Sequence, residues 1–500
     1  MRDLTSCSAA ITSTLHSEAA RHLLRSDGQE DLCFALWRPS KGKTRNTALI
    51  QKLILPRRGE RKLHGNASFL PHYFERAASE AAAAGAGLAF LHSHLGPGWQ
   101  DMSGDDIRAE EKHAPAAYGA TGLPLVGLTL ATDGALSARF WERVAPRKYK
   151  RVWCTHVRVV GEKLSVTFAD RLMPAPQPKE ELRRTVASWG MRVQSDLARL
   201  RVGIVGAGSV GSIVAEALAR TGIARISLLD FDTVEFVNLD RLLHARRIDA
   251  LSHRSKVSSL GRGLRLSATA SEFQTDELEY SVAEEEGFRS ALDCDVLFSC
   301  VDRPWGRSIL NFIAYAHLIP VVDGGIQVEA KPGIGLRRAD WKAHIVGHEH
   351  RCLECLGQYN AGLVAAEREG YFDDPKYIAG LPADHPIKRN ENVFAFSLSA
   401  ASFEVLQALM MVIAPLGIAS PGAQMYHFVP GLLDAPKFEL CNEGCPYPAL
   451  AAKGDHTGFV VTAQHKKAEQ ARSERATALR TLPWRYRIQM FLERLAERFG

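Results

Sequence analysis

Three glycines constrain the fold more than any other feature. Gly206, Gly208 and Gly211, spaced Gly-x-Gly-x-x-Gly, fall between a short apolar run, Val202 to Val205, and a helix-like stretch, Ser209 to Thr221. A second apolar run, Ile226 to Leu229, follows and ends at Asp230. Strand, glycine turn, helix and strand open a βαβ unit, which predicts a parallel sheet. The glycines let the backbone approach phosphates at a helix N-terminus. Asp230 lies at the separation from them at which an acid reaches a ribose hydroxyl. On these residues alone a nicotinamide dehydrogenase and an ATP-using enzyme both remain open.

The residues downstream favour ATP. Asp230-Phe231-Asp232 leads into Asn238-Leu239-Asp240-Arg241, then Lys256, then a strand-like run ending Ser299-Cys300-Val301-Asp302. Hydride transfer has no use for this set, whereas adenylation does. A substrate carboxylate attacks the α-phosphate, pyrophosphate leaves, and the charge that develops calls for cations and a ligand for Mg2+. Arg241 and Lys256 can supply the cations and Asp302 can hold Mg2+. From about Glu181 to Pro448 the chain resembles the ThiF/MoeB family, the catalytic core shared with ubiquitin-activating enzymes. The resemblance implies a site for ATP and Mg2+ built from Gly206, Gly208, Gly211, Asp230, Asp232, Asn238, Arg241, Lys256 and Asp302. It also implies that Arg184, in Arg184-Thr185-Val186-Ala187-Ser188-Trp189-Gly190, reaches ATP, in many members from the partner protomer of a homodimer.

Nine cysteines, four of them in two tight pairs, fit a metal site plus free thiols better than a disulfide framework. Cys352-x-x-Cys355 and Cys441-x-x-x-Cys445 can form a closed, structural Zn2+ site of four thiolates, with a redox role for the first pair as the alternative. The second pair has three intervening residues where the resembled family usually has two. Members that pass the adenylated protein onto their own thiol carry a cysteine in the segment after the first pair, and here Gly357 to Leu440 contains none. Cys7, Cys33, Cys154, Cys294 and Cys300 all precede it. Adenylation without a thioester on that segment is expected, with the product handed to a conjugating enzyme, another external thiol or a sulfur donor.

The first third carries a different constellation. The apolar run Leu88 to Leu91 ends in His92-Ser93-His94, and alternate residues of a strand share a face, so both imidazoles can reach one metal ion. After eight intervening residues Ser103-Gly104-Asp105-Asp106 opens a charged helical stretch. Asp106 there can be a third ligand, leaving a fourth position for water as in hydrolytic zinc sites. Ser103-x-x-Asp106 is equally a helix capping box. In order and spacing these residues resemble the JAMM (MPN-type) peptidase signature over roughly residues 10 to 150. The loop is one residue longer than usual, and Leu95 stands where a proline commonly follows the second histidine. The resemblance implies a catalytic Zn2+ on His92, His94 and Asp106 and an oxyanion role for Ser103. It also implies an upstream glutamate that serves the attacking water as base and acid, and Glu30, just before the strand-like run Leu32 to Leu36, is the candidate, ahead of Glu60 and Glu75.

With 46% hydrophobic and 24% charged residues, 500 residues suffice for two or three cores. Apolar stretches such as Ala408 to Leu416 fall short of a membrane span and Asp3 lies where a signal peptide needs apolar residues, so a cytoplasmic chain without a membrane partner is expected. A net charge of +6, spread along the chain, gives no footprint for nucleic acid. The prolines of Pro174 to Lys179 mark the main boundary. The expectation is an α/β chain: a JAMM-type α/β domain over 1–173, a linker over 174–180, a ThiF-type Rossmann-like domain with a mostly parallel central sheet and helices on both faces over 181–455, and a basic helical tail over 456–500 that ends in an amphipathic helix, Tyr486 to Phe499. Both modules would act at the C-terminal glycine of a ubiquitin-like β-grasp protein, one trimming or deconjugating and the other adenylating. Such fusions resemble those of bacterial ubiquitin-like modification systems, some linked to phage defence. Thiocarboxylation of a sulfur carrier for cofactor or metallophore biosynthesis, with a sulfurtransferase as partner, and a non-catalytic scaffold are the alternatives.

Overall fold

Seven consecutive buried residues, Gly87–Ser93, make a strand covered on both faces, and its neighbours show how. In Leu32–Lys41, Cys33, Ala35 and Trp37 join one apolar cluster while Leu32, Phe34 and Leu36 join another. A period-two strand divides its side chains in this way when both faces are covered. The computed structural model describes every residue except 1–5, 65, 332, 383–390, 436–439, 458–460, 485, 487, 489, 490 and 493–500.

The chain clusters into two units, one of residues up to Ala175 with Phe312–Leu318 and a short segment starting at Pro446, the other of the remainder. The division falls inside the 174–180 segment. The two short segments that join the first unit interrupt the run 181–455, which the sequence reading treats as continuous.

In the first unit the elements are β1 (Ser6–Thr12), α1 (Ser13–Leu23), β2 (Leu32–Lys41), β3 (Arg45–Ile54), β4 (Arg61–His64), β5 (Asn66–Phe69), α2 (Pro71–Ala83), β6 (Gly87–Ser93), α3 (Gly104–Thr121), β7 (Leu125–Leu130), β8 (Leu136–Ala145), β9 (Lys148–Trp153), β10 (His156–Val160) and β11 (Leu164–Phe168). Nine strands form one sheet in the order β11-β10-β1-β3-β2-β6-β7-β8-β9. Ala19 and Leu23 of α1 pack on one face, and Tyr73, Phe74 and Ala77 of α2 with Ala114 and Ala117 of α3 pack on the other. On that second face Phe34 meets Phe69 and Tyr73 edge-on, with centroids 5.1 and 4.8 Å away. Such pairs add about 0.5–1.5 kcal/mol each beyond the area they bury.

The second unit contains α4 (Arg183–Trp189), α5 (Met191–Arg199), β12 (Arg201–Val205), α6 (Ser209–Arg220), β13 (Arg225–Leu229), α7 (Arg247–Leu251), α8 (Lys256–Ser267), β14 (Gln274–Leu278), α9 (Glu285–Ala291), β15 (Val296–Ser299), α10 (Pro304–Ala316), β16 (Val321–Lys331), β17 (Gly335–Val346), α11 (Ala361–Arg368), α12 (Pro375–Gly380), α13 (Phe394–Ile413), β18 (Gln424–His427), β19 (Leu432–Asp434) and α14 (Lys466–Thr481), the end of α10 clustering with the first unit. Its sheet runs β14-β13-β12-β15-β16-β17-β18-β19. The first five strands are parallel, and a long hairpin, β16 with β17, then turns the sheet antiparallel through β19. The expected mostly parallel sheet is thus a mixed one. β12 lies between β13 and β15, so the connections leave it in opposite directions. In sheets of this kind ligands bind outside the C-terminal ends of the strands at the switch point, which here are those of β12 and β15.

Two expectations need correction or fall outside. Phe394–Ile413 is long and apolar enough to cross a membrane by length and composition, contrary to the reading that every apolar stretch falls short. It packs on α6, β16 and β17, and it buries Glu404 and Gln407, the residues that break its apolar run in the sequence. The amphipathic helix expected over Tyr486 to Phe499 lies largely outside the described residues.

Candidate functional site

In the first unit the β2–β6 register fixes the face that carries the two histidines. Leu32 pairs with His92. One step further the Ser93 amide donates to the Asp31 carbonyl at 3.0 Å, and the Asp31 amide donates to the Ser93 hydroxyl at 3.0 Å. Continuing this antiparallel alternation sets Glu30 opposite His94, on the face that also carries His92. The charge of Glu30 is felt at His94. Asp31, fully buried, is tied to Arg61 at 2.8 Å and Arg25 at 3.5 Å, which anchors the backbone at Glu30.

Ser103 and Asp106 do both jobs that their spacing allows. The Ser103 hydroxyl accepts from the Asp106 amide at 3.2 Å, and the Ser103 amide donates to Asp106 Oδ2 at 2.8 Å, closing a capping box on α3. The same carboxylate faces the histidines: Oδ2 lies 3.2 Å from His94 Nε2 and Oδ1 lies 3.5 Å from His92 Nε2. The two Nε2 atoms are 3.2 Å apart. One ligand atom from each of the three residues lies within 4.8 Å of the others, so the three can hold a metal ion. Burial works to raise the Asp106 carboxyl, but the bonds to His92 and His94 outweigh it and hold the carboxyl well below its ordinary range. The hydrogen bond to Asp106 draws a proton onto His94 against the effect of burial.

Sequence reasoning missed what lies beneath. The Thr129 hydroxyl is 3.4 Å from His92 Nε2 and accepts from Arg139 Nη1 at 2.6 Å. Arg139 forms a doubly bonded pair with Glu110 of α3, which also accepts from Trp141 Nε1 at 2.7 Å. Glu110, Thr129 and Arg139 are all buried. Removing one partner of such a pair costs about 3–5 kcal/mol. Gly127 makes the space, since a Cβ there would lie 2.4 Å from both Arg139 and Glu110. A glycine inside an apolar strand beside a strand with an inward arginine was the available signal.

In the second unit the three glycines differ in what they permit. Gly206 has φ +97°, and a Cβ on it would lie 2.4 Å from the Cys300 carbonyl. A Cβ on Gly211 would lie 1.9 Å from the Gly206 carbonyl. These two let β12, α6 and the end of β15 close together. Gly208 faces open space, with nothing within 4 Å. Asp230 accepts from the Ala207 amide at 2.8 Å and from the Asp232 amide at 2.8 Å, so it props the glycine turn. Lys256, at the start of α8, donates to Asp232 at 2.8 Å. Burial works against a charged Lys256, but Asp230, Asp232 and Asp302 outweigh it and keep the proton on. Burial pushes the Asp230 carboxyl up, whereas Lys256 overcomes burial at Asp232 and holds that carboxyl down. Asp302 is exposed three residues beyond β15.

The remaining predicted residues are not gathered there. Asn238 caps a short turn, its side chain accepting from the Glu235 amide at 3.1 Å. The Arg241 guanidinium donates to the Val237 carbonyl at 2.6 Å and to Asp240 at 2.8 Å, although its own carbonyl accepts from Ser209 at the start of α6. Arg184 is exposed on α4, with the Ser188 hydroxyl donating to its carbonyl. The four paired cysteines do converge, with Cys352 Sγ 3.7 Å from Cys445 Sγ. Backbone amides of Cys352 and Asn442 donate to the sulfurs of Cys441 and Cys355, as suits thiolate ligands. All four lie within one metal-sized cluster and fit a closed site for Zn2+.

Residues 182–411 match the ThiF family. Ubiquitin-like modifier-activating enzyme 5 of Drosophila willistoni is 27% identical over 177 residues, 33% of this chain and 43% of that one. The protein of the same name from Branchiostoma floridae is 30% identical over 165 residues, 30% of this chain and 40% of that one. The chain thus spans less than half the length of these curated relatives. Among solved structures, E. coli MccB with AMPCPP and MccA is 16% identical with a TM-score of 0.42, covering 54% of this chain and 74% of that one. PaaA is 15% identical with a TM-score of 0.37, covering 51% and 81%.

Proposed function

Starting from the ThiF-family domain across residues 182–411, we propose that the second unit uses ATP to adenylate the C-terminal glycine of a ubiquitin-like β-grasp protein. One juxtaposition carries the reading: an open backbone at Gly208 beside Lys256, Asp230, Asp232 and Asp302, at the switch point of the sheet. A substrate carboxylate oxygen attacks the α-phosphorus. The bond from that phosphorus to the bridging oxygen breaks, and its electron pair leaves with pyrophosphate, so no base is required. Lys256 balances charge on the phosphates, joined by Arg241 once its side chain swings from Asp240. Asp302 would hold Mg2+, which neutralises phosphate charge when bound. Arg184, exposed on α4, would be supplied by a second copy of the chain in a homodimer.

The test is ATP–pyrophosphate exchange with ubiquitin-like proteins ending in glycine, on the wild type and Asp302→Ala. Exchange that needs both the partner and Asp302 is expected. Absence of exchange with every intact or pre-trimmed partner would overturn the reading.

For the first unit we propose hydrolysis after the same glycine. His92, His94 and Asp106 fit Zn2+ by donor type and mutual distance, and bound Zn2+ would acidify water and polarise the scissile carbonyl. Glu30 would take the proton of the attacking water and return it to the leaving amine, and the Ser103 hydroxyl, whose proton the capping box leaves unused, would donate to the oxyanion. Cleavage of a glycine-ended fusion, with zinc bound per chain counted in parallel, should vanish in His94→Ala. Full cleavage by that variant would exclude the role.

A sulfur-transfer fate has one observation in its favour: no cysteine between Gly357 and Leu440 can form a thioester. Mass spectrometry of the partner after turnover distinguishes a C-terminal thiocarboxylate from a lysine conjugate passed on through a conjugating enzyme.

A further inference from the structure

The C-terminal helix α14 reaches the nucleotide crevice. Its N-cap, His465, uses Nδ1 to accept from the Ala468 amide at 3.1 Å. The His465 ring stacks on Trp305, with centroids 5.1 Å apart and planes 10° from parallel, and on its other contact lies 5.0 Å from Phe231. Phe231 is the residue between Asp230 and Asp232, and Trp305 follows Asp302 by three. The start of α14 is therefore fixed beside both acidic edges of the site.

Two cations stand there. Lys467 Nζ lies 3.7 Å from Asp373 Oδ1, and Arg303 Nη1 lies 3.0 Å from the same oxygen. That Arg303 nitrogen is buried yet makes no hydrogen bond, so its ion pair leaves its donor capacity unused. Arg303 is adjacent in sequence to Asp302. Asp373 belongs to the segment between the two cysteine pairs and closes a short turn, Tyr371–Asp373, after α11. Glu367 of the same segment accepts from the Trp305 amide at 2.7 Å.

The charge balance of the crevice gives these cations a purpose. Asp230, Asp232, Asp302 and Asp373 border it, against Lys256, Arg303 and Lys467, with Arg241 engaged by Asp240 and Arg368 set over the Trp305 ring, while burial favours a proton on Glu367. A polyphosphate entering beside these carboxylates needs every cation within reach, and a carboxylate that shares two cations, one of them through a nitrogen that makes no hydrogen bond, can be exchanged for a phosphate. We propose that Arg303 and Lys467 are binding residues for the β- and γ-phosphates of ATP, and that Asp373 holds their place until the triphosphate displaces it. The electrostatic influence of Lys467 and Arg303 already extends to Asp232. The inference rests on the adenylation reading and adds to it a role for the C-terminal helix.

The test is equilibrium binding of ATP and of AMP, each with Mg2+, to the full chain. Lys467→Ala and Arg303→Ala should each weaken ATP by about 10–100-fold, the range for hydrogen bonds between charged groups, and leave AMP unchanged. Lys467→Arg should restore most of the loss. Asp373→Asn should tighten ATP several-fold, because it removes the competing carboxylate, a sign that a purely structural role for Asp373 would not give. Equal losses for ATP and AMP, or unchanged ATP binding in both alanine variants, or weaker ATP binding in Asp373→Asn, would overturn the proposal while leaving the adenylation reading standing. No binding of ATP by the wild type would overturn the reading itself.

Discussion

The His92–His94–Asp106 cluster of the first unit is assembled, and the proposed nucleotide site of the second is not. His92, His94 and Asp106 converge because the β2–β6 pairing aims the histidines and the α3 capping box aims the carboxylate. Glu110 and Arg139 hold the strand floor beneath them. In the crevice Gly208 faces open space, Arg241 is turned to Asp240, and Arg303 and Lys467 share Asp373. A small dication has no conformational freedom to contribute, so its ligands have to be placed by the fold. A polyphosphate brings its own charges and can take cations away from protein carboxylates. One site therefore tolerates little change in its supporting contacts, while the other relies on exchange between partners.

The strongest way to break this contrast is Glu30→Gln. If Glu30 serves the preassembled triad as base and acid, the isostere should lower cleavage of a glycine-ended fusion by about 10²–10⁴-fold, with zinc content unchanged. Undiminished cleavage would make the carboxylate beside His94 a bystander. Next comes Asp302→Ala, which should lower ATP–pyrophosphate exchange by about 10²–10³-fold, the range for loss of one electrostatic contact to the transition state. The cleavage reaction should be unaffected, and a loss of both activities would point to a folding defect instead.

The glycines sharpen the comparison within the crevice. Gly211→Ala drives a Cβ into the Gly206 carbonyl and should destabilise the second unit by about 1–3 kcal/mol, read as a lower denaturation midpoint. Gly208→Ala meets nothing within 4 Å, and its φ of −79° suits any residue. Its stability should stay within about 0.5 kcal/mol of wild type while ATP binding weakens. A Gly208→Ala protein that unfolds early would mean that the openness there is not reserved for a ligand.

What was legible in the sequence was what is local. His92-x-His94 and Ser103-x-x-Asp106 each sit on one strand end or one helix start, where spacing alone sets the face, whereas Glu30 rests on the resemblance rather than on spacing. The glycine turn and Asp230 are likewise one βαβ unit. Thr129, Arg139 and Glu110 were not legible because three elements contribute them. Arg303 and Lys467 meet only through Asp373, across a helix start, a turn and the C-terminal helix. The antiparallel half of the second sheet escaped notice because Gly324-Gly325 and the charged residues of β16 blur its strand pattern. Glu404 and Gln407 hid the length of α13 in the same way, although in the fold they are buried against neighbours.

The last expected effect concerns pH and belongs to the crevice. Glu367 is buried beside Trp305, and burial raises its carboxyl from its ordinary 4.5 to about 7, with the Trp305 amide pulling the other way. The folded chain therefore keeps a proton there that the unfolded chain gives up. The contribution is full below about 4.5, falls as the pH rises towards 7, and is lost above that, a change on the order of 3 kcal/mol. Glu367→Gln cannot ionise and still offers the Trp305 amide an oxygen. Urea denaturation of both proteins at pH 5 and pH 8 should show the variant gaining on the wild type only at the higher pH. Parallel behaviour at both would mean that Glu367 ionises without penalty, in which case the carboxylates around Asp302 are better screened than the crevice geometry implies. The triad offers no counterpart to this experiment, because the carboxylate there is held down by the histidines that it would share with a metal ion.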